Sequence, residues 1–149
     1  MQIYPFIFRG YDIRGEVGKD LNPTIVEHMG RAFGTYLKRR GIKKAVVSRD
    51  SRATGPKYSE AIIRGLSWVG IDIIDIGMEL IGTFYWSQYY LNCRGGVYVT
   101  ASHNPVEYNG FKLANDFSET LVTDDIQELR RIIENEDYEK NKVIGGIKK

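Results

Sequence analysis

The stretch Gly95-Gly96-Val97-Tyr98-Val99-Thr100-Ala101-Ser102-His103-Asn104-Pro105, with Tyr108-Asn109-Gly110-Phe111-Lys112 close behind, decides how this chain is read. Val97, Val99 and Ala101 alternate as the apolar positions of a short strand do. The run then meets polar residues and Pro105, which has no amide hydrogen for a ladder and holds its own φ. A strand stopping there delivers Ser102, His103 and Asn104 to a tight loop at its carboxyl end, where open α/β sheets bind ligands. Asn109-Gly110 is a turn dipeptide, so a second strand over Phe111, Lys112 and Leu113 is expected to fold back beside the loop. A hydroxyl, an imidazole and an amine then come within reach of one point.

Working outward, Phe6-Ile7-Phe8-Arg9-Gly10-Tyr11-Asp12-Ile13-Arg14-Gly15 reads as a first strand that breaks into a polar loop at its end. Asn22-Pro23 opens a helix, with Asn22 as N-cap and proline at the first helical position. Leu21, Ile25, Met29, Ala32 and Phe33 recur at helical spacing, and Gly41 ends the run. Ala45-Val46-Val47 is a buried strand leading to a polar loop over residues 48–56. A helix over 58–69, a strand over 71–76 and an aromatic-rich helix over 84–91 follow. Asp124-Asp125 opens a last amphipathic helix with Ile126, Leu129, Ile132 and Ile133 on one face. Strands alternating with helices predict an α/β domain: a mostly parallel mixed sheet, helices on both faces, and an antiparallel hairpin after the Ser102 strand.

The 149 residues suit one domain, taken as 1–138, with 139–149 as a linker or the start of a further domain. A net charge of +2 is too small to imply nucleic acid, and Lys38-Arg39-Arg40 with Lys43-Lys44 reads as a solvated helix end. No apolar run is long enough to span a membrane. Met1-Gln2-Ile3-Tyr4-Pro5 does not open as a secretory signal does, and a lone Cys93 excludes an internal disulfide. A cytoplasmic protein is expected, with Cys93 a packing residue.

Ser102 lacks the flanking glycines of a hydrolase elbow. His103, the next residue along an extended backbone, points elsewhere and makes a poor base for it. Phosphoryl chemistry fits better. A phosphoserine carries about −1.5 to −2 charges and three acceptor oxygens. Lys112, His103, the Asn104 amide, a metal ion and cations from Arg9 and Arg14 can neutralise it, and transfer then depends on positioning.

Thr100-Ala101-Ser102-His103-Asn104-Pro105 followed by Glu107-Tyr108-Asn109-Gly110-Phe111-Lys112 resembles the active-site signature of the α-D-phosphohexomutases, the phosphomannomutase and phosphoglucomutase enzymes. Phe8-Arg9-Gly10-Tyr11-Asp12-Ile13-Arg14-Gly15 resembles that family's opening motif, and Arg49-Asp50-Ser51-Arg52 its second loop. The resemblance implies that Ser102 is phosphorylated and passes its phosphoryl group to a hexose monophosphate. A glucose or mannose 1,6-bisphosphate then returns the other group, so that hexose 6-phosphate and hexose 1-phosphate interconvert. It also implies that Lys112 and Arg14 assist proton transfer, that His103, Asn104 and Tyr11 line the substrate pocket, and that Mg²⁺ touches the Ser102 phosphate. Arg49 and Arg52 are left as loop architecture.

The family's aspartate-rich metal loop (D-G-D-x-D-R), its sugar-reading loop and its phosphate-binding loop do not occur in these residues, and Leu80-Ile81-Gly82-Thr83 stands where a Thr-Pro pair is usual. The likeness therefore covers the first third of such an enzyme. Partners are expected to be a hexose phosphate and the enzyme's other domains, and the isolated chain is expected to turn over sugar phosphates poorly or not at all. The competing reading is a non-catalytic phosphosugar- or phosphate-binding module.

Overall fold

The computed structural model describes all 149 residues. The chain runs β1 (Ile13–Glu16), α1 (Pro23–Arg39), β2 (Lys44–Arg49), α2 (Gly55–Val69), β3 (Asp72–Met78), α3 (Ile81–Tyr90), β4 (Gly95–Val99), β5 (Tyr108–Asp116), β6 (Glu119–Thr120), α4 (Thr123–Glu134) and β7 (Ile147–Lys148). The sheet order is β1-β5-β4-β2-β3-β7, with β6 on β5. β4, β2, β3 and β7 run parallel, whereas β5 is antiparallel to both β4 and β1. Helices lie on both faces, as the alternation of elements predicts.

One face carries α1, α2 and α4. Their apolar sides meet Ala45, Val47, Val97, Val99, Phe111 and Leu113 in the main core. The other face is covered by α3, where Phe84 packs with Val46, Cys93 and Tyr98. Asn22 caps α1 as its sequence predicts, its side chain accepting from Ile25 N at 3.0 Å. The last turn of α1 carries Lys38 and Arg39, and with Arg40 they pair with Glu128, Asp137 and Glu139. The basic cluster is thus taken up by α4 and the segment behind it. No helix is long and apolar enough to cross a membrane.

Three expectations are corrected. Residues 6–15 are not a strand that frays into a loop. A short 3-10 turn (Pro5–Ile7) comes first, then a tight turn in which Arg9 N donates to Asp12 O at 2.9 Å, and the strand is last. The proline starts the turn, and only Ile13 onward finds a ladder partner, in β5. Asn109-Gly110 is not the hairpin turn either. It lies inside β5, opposite Gly15 and Arg14, because a Cβ at Gly110 would sit 2.1 Å from Ile13 O. The glycine is there for close approach rather than for turning, and β5 becomes an interior strand with β1 at the edge. Third, the aromatic helix begins at Ile81, so Leu80-Ile81-Gly82-Thr83 forms its cap and first turn.

Behind α4, Glu139 is held against α1, its amide donating to Thr35 Oγ1, and residues 145–148 reach the sheet edge. Gly145 N donates to Ser67 O and Ser67 Oγ to Gly145 O, and Ile147 pairs with Ile73. His28, on α1, is half-buried and shares a hydrogen bond with the Tyr138 hydroxyl at 2.9 Å.

Cys93 is fully buried beneath α3, and burial pushes its thiol up to about 11. The thiolate is the reactive form. Iodoacetamide at neutral pH is therefore expected to leave the folded protein unlabelled and to label it once in denaturant; rapid alkylation of the native state would contradict the burial.

Candidate functional site

The parallel strand β4 ends at Val99, and the chain crosses to β5 through residues 100–107. Arg52, from the β2–α2 connection, reaches under this loop. Its Nη1 donates to Pro105 O (2.8 Å) and Tyr108 O (3.0 Å), and its Nη2 to Ser102 O (3.0 Å) and Asn104 O (2.6 Å). Asp50 lies beside the guanidinium, 3.4 Å from Nε, and accepts from Arg52 N and from Thr100 Oγ1. Thr100 Oγ1 in turn accepts from Ser102 N at 2.9 Å. Ser102 is exposed at the crest with φ +54°, a left-handed conformation that costs a non-glycine residue free energy and persists where the surroundings impose it. Its hydroxyl makes no hydrogen bond within the chain.

On the other flank β1 supplies Arg14. Its Nε donates to Asp12 Oδ2 at 2.8 Å, and its Nη1 to Ala101 O at 3.2 Å and to Asn104 Oδ1. The guanidinium is almost wholly buried but lines a cleft of about 460 Å³ together with Arg9, Tyr11, His103 and Asn104. Both Nη2 hydrogens have no protein partner. Lys112, on β5, sends its ammonium to 5.8 Å from the centre of the Tyr11 ring, within the reach of a cation–π contact. No acid pairs with Lys112, Arg9 or His103, while Asp12, the one carboxylate of the cleft, is already taken by Arg14. Such a cleft attracts anions.

The structure therefore gathers Tyr11, Arg14, His103 and Asn104 in one cleft and sets Lys112 against Tyr11. It does not place Ser102 among them. Ser102 lines a second hollow of about 380 Å³ with Ser51, Arg52 and Thr54. Consecutive residues at the crest thus line different hollows. Nowhere in the 149 residues do three His, Cys, Asp or Glu side chains come together as a metal site. Of the carboxylates beside the loop, Asp12 and Asp50 are each committed to an arginine, and Glu107, at its far end, stands alone. These residues alone do not fit Mg²⁺, which needs near-octahedral oxygen coordination.

Sequence reasoning passed over Asp50 and Thr100 and left Arg52 as architecture. One local signal was present: Asp50 Oδ1 accepting from Arg52 N is an Asx-turn, to which an Asp-x-Arg run is suited. The four carbonyls that Arg52 holds lie 50 or more residues away and leave no local trace.

Comparison with known proteins finds likeness over nearly the whole chain. Residues 5–140 match the family profile described as phosphoglucomutase/phosphomannomutase, alpha/beta/alpha domain I. A phosphomannomutase of Vibrio cholerae is 37% identical over 145 residues, which are 95% of this chain and 31% of that protein. A phosphomannomutase sequence from Klebsiella pneumoniae is 39% identical over 132 residues, covering 88% of this chain and 82% of that sequence. Among solved structures, a phosphoglucomutase/phosphomannomutase family protein of Burkholderia thailandensis superposes with a TM-score of 0.89 at 32% identity, over 99% of this chain and 33% of that one. Against the Vibrio and Burkholderia proteins the chain thus spans about a third of the length.

Proposed function

This chain belongs to the phosphoglucomutase/phosphomannomutase family as its domain I, and from that premise we propose that Ser102 is a phosphoryl carrier for hexose phosphates. A sugar hydroxyl oxygen attacks the phosphorus of phospho-Ser102, the bond to Oγ breaks, and the hydroxyl proton passes to a neighbouring base. The resulting hexose 1,6-bisphosphate, of glucose or mannose, turns and returns its other phosphoryl group to Oγ. Hexose 6-phosphate and hexose 1-phosphate interconvert. Arginine stays charged, so Arg14 serves by presenting its two unspent donors to oxygen. Lys112 and His103 are the groups able to exchange a proton, and Tyr11 and Asn104 border the sugar. Magnesium would need carboxylates from outside these residues to complete its coordination. Residues 1–138 carry the phosphoserine, the segment behind them returns to the sheet edge, the enzyme's other domains are its partners, and the single buried thiol suits the cytoplasm.

The observation that carries this reading is the pairing, on one loop, of an exposed hydroxyl without an internal partner and a cleft where Arg9 and the neighbouring Lys112 have no acid partner and Arg14 keeps two free donors. Intact-mass measurement tests it on protein isolated as its natural full-length chain. A stoichiometric gain of about 80 Da, one phosphoryl group, is expected. It should map to Ser102 and vanish on incubation with excess hexose monophosphate. No adduct, with phosphosugar binding retained, would instead mark a binding module.

A further inference from the structure

Donor counting separates the two arginines of the loop. Arg14 keeps two N–H groups for a ligand. Arg52 has none: its four Nη hydrogens meet four backbone carbonyls, those of Ser102, Asn104, Pro105 and Tyr108. Its Nε faces Asp50 and is closed off from solvent. Although Arg52 lines the hollow that Ser102 overlooks, it has nothing left with which to hold a phosphate.

We propose that Arg52 is the positioning residue of the reacting serine. It draws the loop's carbonyls inward so that Ser102 is held at positive φ with its hydroxyl outward. Two observations converge on this. The guanidinium fixes the carbonyl oxygen of Ser102 itself, and Asp50, which faces Arg52, fixes Thr100, whose hydroxyl holds the Ser102 amide. The serine is thereby gripped on both sides of its Cα, through one Arg52–Asp50–Thr100 chain. Because its carbonyls are occupied from below, the backbone need not reorganise as the phosphoryl charge arrives and leaves, which is the condition for electrostatic preorganisation. Lysine cannot substitute. It brings three donors on one nitrogen, against a planar fork that reaches four acceptors in two directions.

The inference rests on Ser102 being the phosphoryl carrier, so the test includes that residue. In the natural full-length enzyme, kcat and KM for hexose phosphate turnover are measured for R52K, T100V and S102A. A displacement of about 1 Å at a reacting atom can cost about 100-fold, so R52K is expected to lower kcat by that order with KM nearly unchanged. T100V, which leaves Arg52 in place but cuts the tie to the Ser102 amide, should move kcat the same way and decides the matter if R52K does not fold. S102A should be inactive. Wild-type kcat in R52K or T100V, or a rise in KM at unchanged kcat, overturns the positioning role while leaving the carrier intact. Full turnover in S102A overturns the carrier reading itself.

Discussion

Arg14→Met is expected to cost the domain about 3–5 kcal/mol of stability, the loss typical of removing one partner from a buried ion pair. Arg14 and Asp12 expose only 8% and 4% of their side chains, and the pair closes at 2.8 Å. Without the guanidinium the Asp12 carboxylate is left in a place that water reaches poorly, and Ala101 O and Asn104 Oδ1 lose their donor. The double variant Asp12→Asn with Arg14→Met removes the stranded charge and should recover a large part of the loss. Denaturant unfolding measures both. A single-variant loss below about 1 kcal/mol, the worth of an exposed pair, would mean that the pair is not the buried tie seen here. The same substitution also strips the cleft of its two unspent donors, so turnover in the full enzyme should fall further than stability alone explains.

Gly65→Val is expected to be at least as disruptive, costing about 3 kcal/mol or more by overpacking. α1 and α2 cross with two glycines at the contact. A Cβ on Gly65 would lie 2.2 Å from Glu27 O and 2.7 Å from Arg31 N, and one on Gly30 would lie 2.5 Å from Ile62 O. These neighbours are helix backbone, which cannot swing aside as a side-chain tip can. The helices must separate, which opens the core that Phe33, Tyr58 and Leu66 fill. Gly30→Ala should act in the same direction. Gly82→Ala, in the exposed first turn of α3 with nothing within 4 Å, should leave the unfolding midpoint where it is or raise it slightly. If all three variants unfold alike, close helix approach is not what these glycines are for.

Much of the fold was legible because its signals are local. The Asn22-Pro23 start of α1, the inward face of α4, and the Val97–Val99 strand each follow from periodicity or capping within one element. The failures were also of one kind. Asn109-Gly110 has the composition of a turn, yet it sits in mid-strand because β1 needs room at Gly110. Residues 6–15 have the composition of a strand, yet their first part finds no ladder partner. Gly30 and Gly65 carry no local signal, and only the crossing of α1 and α2 gives them a role. In each case a contact distant in the sequence overrode a local preference.

By itself the sequence determined which chemical groups this domain owns and, through one loop signature, the class of reaction they suit. The tertiary structure decided how those groups are divided. It spent every Nη hydrogen of Arg52 on the loop, left two on Arg14, and set Ser102 and His103 against different hollows. Residue type is written at each position, but the number of donors left over is a balance struck among partners 50 to 90 residues apart, and only folding completes it.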